Sequence, residues 1–289
     1  MYVVGQGAQY VGMGKDFYEK YSVSREVFDE ANQTLGFNLT KLIFDGDQLE
    51  LTQTENAQPA ILMTSVAILR VLEKEYGFDL SSSCNFALGH SLGEYVTLVA
   101  TKSLSLSDAI KLVRLRGNAM SRTVSNLGVK TAMAALIVRE ENLDKLQEAI
   151  KEINTNLPKG ESVELANINS VDLASSALQL NHLAARAVYL PVSAPFHCKL
   201  MDPAREMMKD ALNGVKFQTP IVDVISNVTA RPQVTATVQW QKSIKYCKER
   251  GVDNFLLIGP AKVLANLLRK EYPMDLVRFV CTFVKCKRS

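Results

Sequence analysis

Cys84-Asn85-Phe86-Ala87-Leu88-Gly89-His90-Ser91-Leu92-Gly93-Glu94-Tyr95 sits a third of the way along this 289-residue chain. Cys84 to Leu88 is a short, mostly apolar run and predicts a buried strand that ends at a glycine. Leu92 to Lys102 predicts a buried helix. Gly-x-Ser-x-Gly between a strand and a helix is the context of a nucleophile elbow. The glycines permit a sharp turn and let other backbone come close. The turn sets Ser91 at a helix N-terminus, where free N–H groups and the helix dipole favour developing negative charge. The N–H of Leu92 is placed to donate to an oxyanion.

The rest of the chain continues the strand–helix alternation, which predicts an α/β fold. Asn56 to Tyr76 predicts a helix with Ile61, Leu62, Ser65, Val66, Leu69 and Leu72 on one side and Pro59 near its start. Ser105 to Met120 predicts another, opened by a Ser105–Asp108 capping box. Beyond Arg122 the character changes. Thr123 to Lys130 reads as a polar loop, Thr131 to Val138 as a strand, Glu140 to Ile153 as an amphipathic helix, Asn154 to Glu161 as a loop and Val163 to Ile168 as a strand. This β-α-β stretch predicts a small subdomain over 123–190, inserted into a larger unit made of 1–122 and 191–289. Near the end, Asn254 to Ile258 predicts a strand, and Ala261 to Lys270 a helix.

Composition bounds the function. Hydrophobic residues make up 47% and charged residues 22%, so the chain folds as a globule. With 33 basic and 30 acidic residues the net charge is +3, which gives no support to nucleic-acid binding. Lys285, Lys287 and Arg288 read as a solvated tail. The longest apolar run, Ala132 to Val138, is far short of the ~20 residues of a membrane helix. No basic-then-apolar leader follows Met1. Five cysteines with no C-x-x-C pair predict a reducing compartment and no structural zinc.

A serine nucleophile needs a base, and there are three histidines. His90 lies inside the elbow, where its side chain is directed away from that of Ser91, and His182 reads as a surface residue. His197 is held in Pro191-Val192-Ser193-Ala194-Pro195-Phe196-His197, a segment stiffened by prolines. It is the candidate base, with a structural polar histidine as the alternative. No Asp or Glu stands out as a third member. In the 105–120 helix, Ala109, Ile110, Leu112, Val113, Gly117 and Met120 share an apolar arc at about 100° per residue. Arg116 falls inside that arc and Arg114 at its polar edge. A charge on a buried face is costly unless paired. Arg116 therefore either meets a protein carboxylate or waits for a substrate carboxylate, which its planar fork can hold through two hydrogen bonds. Gly5-Gln6-Gly7 follows a short apolar run and could supply a second oxyanion donor. Gln58 and Asn167 are polar residues in apolar surroundings, and the pattern alone makes both structural.

These residues, taken together, resemble a known family, the malonyl-CoA:acyl-carrier-protein transacylases. The resemblance rests on Gly5-Gln6-Gly7-Ala8-Gln9, Gln58-Pro59-Ala60, Gly89-His90-Ser91-Leu92-Gly93-Glu94-Tyr95, Arg116-Gly117 and Asn167-Ile168-Asn169-Ser170. It continues through Pro195-Phe196-His197, Val238-Gln239-Trp240 and Gly259-Pro260-Ala261-Lys262-Val263-Leu264. Leu51 to Asp79 and Ala166 to Ser170 are most similar to fungal mitochondrial members. The resemblance implies an α/β-hydrolase-like large domain with an inserted ferredoxin-like subdomain. It implies Ser91 as the acylated nucleophile, His197 as its base, and backbone N–H groups of Gln6 and Leu92 as the oxyanion hole. Arg116 would grip the malonyl carboxylate, Gln58 and Asn167 would line the site, and the backbone carbonyl of Gln233 would orient the histidine in place of a triad acid. Phe196 beside His197 would crowd an α-methyl branch and favour malonyl over methylmalonyl groups. The implied partners are malonyl-CoA and an acyl-carrier protein that brings its own phosphopantetheine. No cofactor or metal, no nucleic acid and no membrane is implied. A monomer is expected, in the mitochondrial matrix or alternatively a bacterial cytoplasm. Val3-Val4 stands where the family usually has Phe-Pro, and family segments are missing after Asn169-Ser170 and between Pro232 and Gln233. A serine hydrolase or thioesterase, or a non-catalytic carrier-protein-binding relic, are the rival functions.

Overall fold

The structure, a computed structural model, describes residues 1–3, 5–127, 133–138, 142–158, 161–166, 184–189, 196–227, 238–260, 268, 272 and 277–280. In chain order the elements are β1 (Tyr2–Val3), α1 (Lys15–Lys20), α2 (Ser22–Leu35), α3 (Leu39–Asp45), α4 (Gln48–Thr52), α5 (Thr54–Tyr76), α6 (Leu80–Ser83), β2 (Phe86–Gly89), α7 (Leu92–Ala100) and α8 (Leu106–Leu127). They continue with β3 (Ala134–Val138), α9 (Leu143–Asn156), β4 (Ala184–Tyr189), α10 (Asp202–Asn213), β5 (Asp223–Ile225), α11 (Trp240–Glu249), β6 (Phe255–Ile258) and β7 (Val277–Val280). One sheet runs β5-β2-β1-β6-β7, and every pairing in it is parallel. Parallel strands need crossover helices and are covered on their faces. Ala87, Leu88, Leu257 and Ile258 are accordingly buried in the main core. A separate antiparallel pair joins β3 to β4. α9 lays Leu146 and Ile150 onto Leu136, forming a small core of its own.

α5 is the central helix, and its exit from water explains two polar details. Pro59 lies six residues into it, deeper than the sequence places it. A proline there offers no N–H to the carbonyl four residues back. That carbonyl, of Glu55, instead accepts from Arg114 Nη1 at 2.7 Å, and Arg114 Nη1 also donates to Asn56 Oδ1 at 2.7 Å. The residue read as a polar-edge arginine thus completes the broken turn of a neighbouring helix. Gly117 lets α8 come against the same turn: a Cβ there would lie 2.5 Å from Glu55 Cα and 2.8 Å from Thr54 O. The Ser105–Asp108 cap forms as expected, with Asp108 N–H donating to Ser105 Oγ at 3.0 Å and Ser105 Oγ to the Asp108 carboxylate at 2.7 Å.

Three local expectations fail for identifiable reasons. The predicted loop from Thr123 is helical as far as Leu127, because Thr123 and Ser125 hydroxyls bond back to the carbonyls of Ala119 and Ser121, and Val124 packs inward. Gly128 to Lys130 lie outside the described residues. The predicted 163–168 strand is described only as far as Ala166, and no strand is assigned to 163–166 among the described residues. The Asn154 side chain serves both polar groups of Val163, accepting from its N–H at 2.9 Å and donating to its carbonyl at 2.7 Å, which starts the segment on a side-chain amide. β2 begins at Phe86 and not Cys84, because Asp79 caps a turn over Leu80–Ser83 that takes up Cys84 N–H. The predicted 261–270 helix falls almost entirely outside the described residues.

Candidate active site

Ser91 stands between β2 and α7 with φ 52 and ψ −107, a left-handed conformation that side chains rarely adopt. The neighbours permit it. At Gly89 an added Cβ would run into the Gly93 carbonyl, so only glycine lets the strand and helix close this tightly. As first residue of α7, Leu92 has no intrahelical acceptor for its N–H, which points out of the helix start at the turn.

His197 Nε2 lies 2.7 Å from Ser91 Oγ. The histidine also has a left-handed φ of 58. It follows Phe196, whose ring is buried with Ala119, Met120, Cys198, Met201 and Ala204. Arg116 projects from the middle of α8 and is 3% exposed. Its Nη2 lies 3.2 Å from Ser91 Oγ and its Nη1 2.8 Å from Gln58 Oε1. A guanidinium can only donate. With Arg116 on one lone pair of Oγ, the hydroxyl can donate to His197 in the tautomer that leaves Nε2 unprotonated, which is the orientation proton removal requires. Burial lowers the pKa of Arg116, and Tyr95 and Glu94 oppose that shift. Among the described residues Arg116 forms no ion pair, so the alternative of an internal salt bridge is not the one found.

Gln58 is fully buried on α5 and passes the chain of contacts on, its Nε2 lying 3.4 Å from Gln6 Oε1 and 3.4 Å from Met120 Sδ. Gln6 in turn donates to Thr54 Oγ1 at 3.1 Å. Gln6, Gln58, Arg116, Ser91 and His197 therefore form one connected polar line. Leu92 and Phe196 flank it. Asn167 and Gln233 lie outside the described residues.

Two residues of the site carry no role in the sequence reading. Asn227, just beyond β5, accepts from Ser91 N–H at 2.8 Å and donates to the Gly89 carbonyl at 2.6 Å and to Glu94 Oε2 at 2.9 Å. Its separation from Ser91 by 136 positions leaves no local pattern to detect. Glu94 did leave a signal, as an acid on the otherwise apolar face of α7. Burial pushes its carboxyl up to about 7, against the opposing pull of Ser226, Asn227 and Arg116. Among the described residues no cluster of three or more His, Cys, Asp or Glu could hold a metal ion, and no helix is long and apolar enough to cross a membrane.

A half-buried hydroxyl, an imidazole in hydrogen-bond contact with it and an arginine on the same oxygen, ion-paired to no carboxylate among the described residues, can carry acyl transfer to and from serine. Comparison with known proteins agrees. Residues 1–249 match the acyl transferase domain. The malonyl CoA-acyl carrier protein transacylase of Bacillus subtilis (strain 168) is 40% identical, over 92% of this chain and 88% of the relative. The crystal structure of acyl-carrier-protein-S-malonyltransferase from Bartonella henselae superposes with a TM-score of 0.83 at 35% identity, over 97% of this chain and 95% of that one. A type II PKS acyl-carrier protein in complex with its malonyl-transacylase gives a TM-score of 0.82 at 30% identity, over 98% and 96%. Likeness of this extent, on a fold and an elbow already described, means that the chain belongs to the acyl transferase domain family, among the malonyl CoA-acyl carrier protein transacylases.

Proposed function

We propose that the chain transfers the malonyl group of malonyl-CoA to the phosphopantetheine thiol of an acyl-carrier protein, for fatty acid synthesis, through a malonyl ester on Ser91. The observation that carries the reading is Arg116: a buried guanidinium with no ion pair among the described residues, 3.2 Å from the hydroxyl that His197 also touches. In this reading Ser91 Oγ attacks the thioester carbonyl as His197 Nε2 takes its proton. Backbone N–H groups of Leu92 and Gln6 hold the oxyanion, each donor being worth ~3 kcal/mol in the transition state. The tetrahedral centre collapses, the C–S bond breaks, and His197 returns the proton to the CoA thiolate. The carrier's thiol then attacks malonyl-Ser91, giving its proton to His197, and Ser91 leaves as the hydroxyl. Arg116 keeps the malonyl carboxylate, and Gln58 holds Arg116 in place. Phe196 narrows the site beside His197, Asn167 lines it, and the Gln233 carbonyl orients the imidazole.

The chain is read as 1–122 with 191–289 around an insert of 123–190, a reading supported by the separate β3–β4 sheet, while α8 runs on to Leu127 and carries the near edge of the insert past 122. The protein acts as a monomer without a cofactor of its own. A mitochondrial-matrix location is supported by the likeness of 51–79 and 166–170 to fungal mitochondrial members, while the relatives named above that carry an organism are bacterial, which supports a bacterial cytoplasm instead.

Intact-mass measurement tests the central claim. Malonyl-CoA alone should add one malonyl group at Ser91, and added holo carrier protein should remove it and gain it. No adduct, or an adduct lost to water at the same rate without carrier, overturns the proposal, the second result in favour of a hydrolase.

A further inference from the structure

Ser91 is held in a conformation that costs of order 1–3 kcal/mol and persists only where its surroundings over-determine it. Some of that determination is steric, at Gly89. Backbone bonds add to it, Glu94 N–H to the Ser91 carbonyl at 3.1 Å and His90 N–H to the Val3 carbonyl at 3.2 Å, and one side chain acts on the N–H of Ser91. The amide of Asn227 spans the turn, its Nδ2 on the carbonyl before it and its Oδ1 on the N–H of Ser91 itself. These are the two bonds a backbone partner would otherwise supply. The amide has one workable orientation. The Gly89 carbonyl and Glu94 Oε2 both accept from Nδ2, so Nδ2 must face them and Oδ1 must face Ser91.

Asn227 is itself held. It follows β5, whose Ile225 pairs with Leu88 of β2, so the sheet carries it alongside the turn. Its own carbonyl accepts from Gln239 N–H at 3.2 Å. The next residue, Trp240, meets the His90 ring edge-on at 5.6 Å. Val238 N–H donates to the Ala166 carbonyl at 3.0 Å. The Val238-Gln239-Trp240 motif, to which no chemistry attaches, is thus the brace behind Asn227 and the elbow.

We infer that Asn227 is a positioning residue for acyl transfer: its side-chain amide, oriented by Glu94, clamps Gly89 to Ser91 and holds the turn that aims the Ser91 hydroxyl at His197. The inference rests on the proposed role of Ser91 and goes beyond it. Because Leu92 follows directly, the same clamp sets the direction of its N–H.

The decisive variant is Asn227→Asp, which keeps the shape and the acceptor but loses both donated bonds and sets a second carboxyl against Glu94. The rate of Ser91 acylation is measured in single turnovers with malonyl-CoA and, separately, with a fluorophosphonate that needs only an activated serine. Urea unfolding is followed in parallel. Acylation by both reagents should fall roughly 100-fold, the cost of a misplaced reacting atom, with the KM for malonyl-CoA within about twofold of wild type. Adding Glu94→Gln to Asn227→Asp restores a donor between the two side chains and should recover about tenfold, the worth of one charge-assisted bond. A role in folding alone would lower the urea midpoint without this split between rate and KM. Equal acylation rates in Asn227→Asp and wild type, or a double variant no faster than the single one, overturn the inference. If Asn227→Asp fails to fold, Asn227→Ser carries the same test, a wild-type rate again overturning it. Wild-type enzyme that takes the fluorophosphonate but no malonyl group would refute the proposed function while leaving the clamp testable with the fluorophosphonate.

Discussion

Glu94→Gln should make the protein more stable at neutral pH and flatten its pH dependence. Glu94 is buried in α7 beneath the elbow, and removal from water lifts its carboxyl from an ordinary 4.5 to about 7. The folded state therefore holds this proton more tightly than the unfolded chain does. Below pH ~4.5 both states are protonated and the carboxyl contributes its full stability. As pH rises towards 7 the unfolded chain releases the proton first, and stability is lost until the folded carboxyl has also ionised. At about 1.4 kcal/mol for each pH unit, the loss across that window is roughly 3 kcal/mol. Glutamine keeps the volume and an oxygen for Asn227 but does not titrate. The difference in unfolding free energy, variant minus wild type, should thus grow by roughly 3 kcal/mol between pH 4.5 and pH 8. Urea titrations read by fluorescence are suited to this, because the single tryptophan, Trp240, is buried beside His90. A difference that stays flat with pH, or that shifts in favour of the wild type as pH rises, would refute the argument that burial controls this carboxyl.

Three further outcomes follow from the geometry. Arg116→Ala should lower kcat/KM for malonyl-CoA ten- to a hundredfold, since a buried charge-assisted bond is worth about 1.5–3 kcal/mol, while acetyl-CoA is affected far less; an unchanged malonyl-to-acetyl ratio in acylation assays would remove Arg116 from substrate recognition. Gly117→Ala should cost about 1–3 kcal/mol in urea unfolding, because the new methyl meets the backbone of Thr54 and Glu55 and α8 must move off α5. Arg114→Met should destabilise by about 1 kcal/mol through the lost bond to the Glu55 carbonyl, and less in a Pro59→Ala background, where the helix supplies its own N–H; equal losses in both backgrounds would show that the proline and the arginine are not coupled.

What the sequence discloses is what lies close along the chain. The elbow is legible because its strand, its glycines and its helix fall within about twenty residues. Arg116 is legible because the periodicity of α8 places it on an apolar face, and the structure finds it buried there. His197 is reached by elimination and by the stiffness of its segment. Asn227 escapes because its partners lie on β2 and α7, and only the parallel sheet brings them together. At Val163 a pattern of apolar residues does not reveal that the Asn154 side chain will take both of its backbone polar groups. The end of α8 is misread because threonine and serine, which favour loops in isolation, here bond back onto their own helix.

The nucleophile and its base are anchored in different cores. The elbow is rooted in the main core through Leu88, Leu92 and Tyr95, whereas Phe196 and Cys198, on either side of His197, belong to a satellite cluster with Ala119, Met120, Met201 and Ala204. α8 contributes to both, with Ile110 and Val113 in the first and Ala119 and Met120 in the second. The 2.7 Å contact between Ser91 and His197 is therefore a joint between a large, cooperative body and a small one. Two helices bridge the bodies, since α10 likewise puts Ala204 in the satellite and Met208 in the main core, so the alignment of the catalytic pair rests on the packing of α8 and α10.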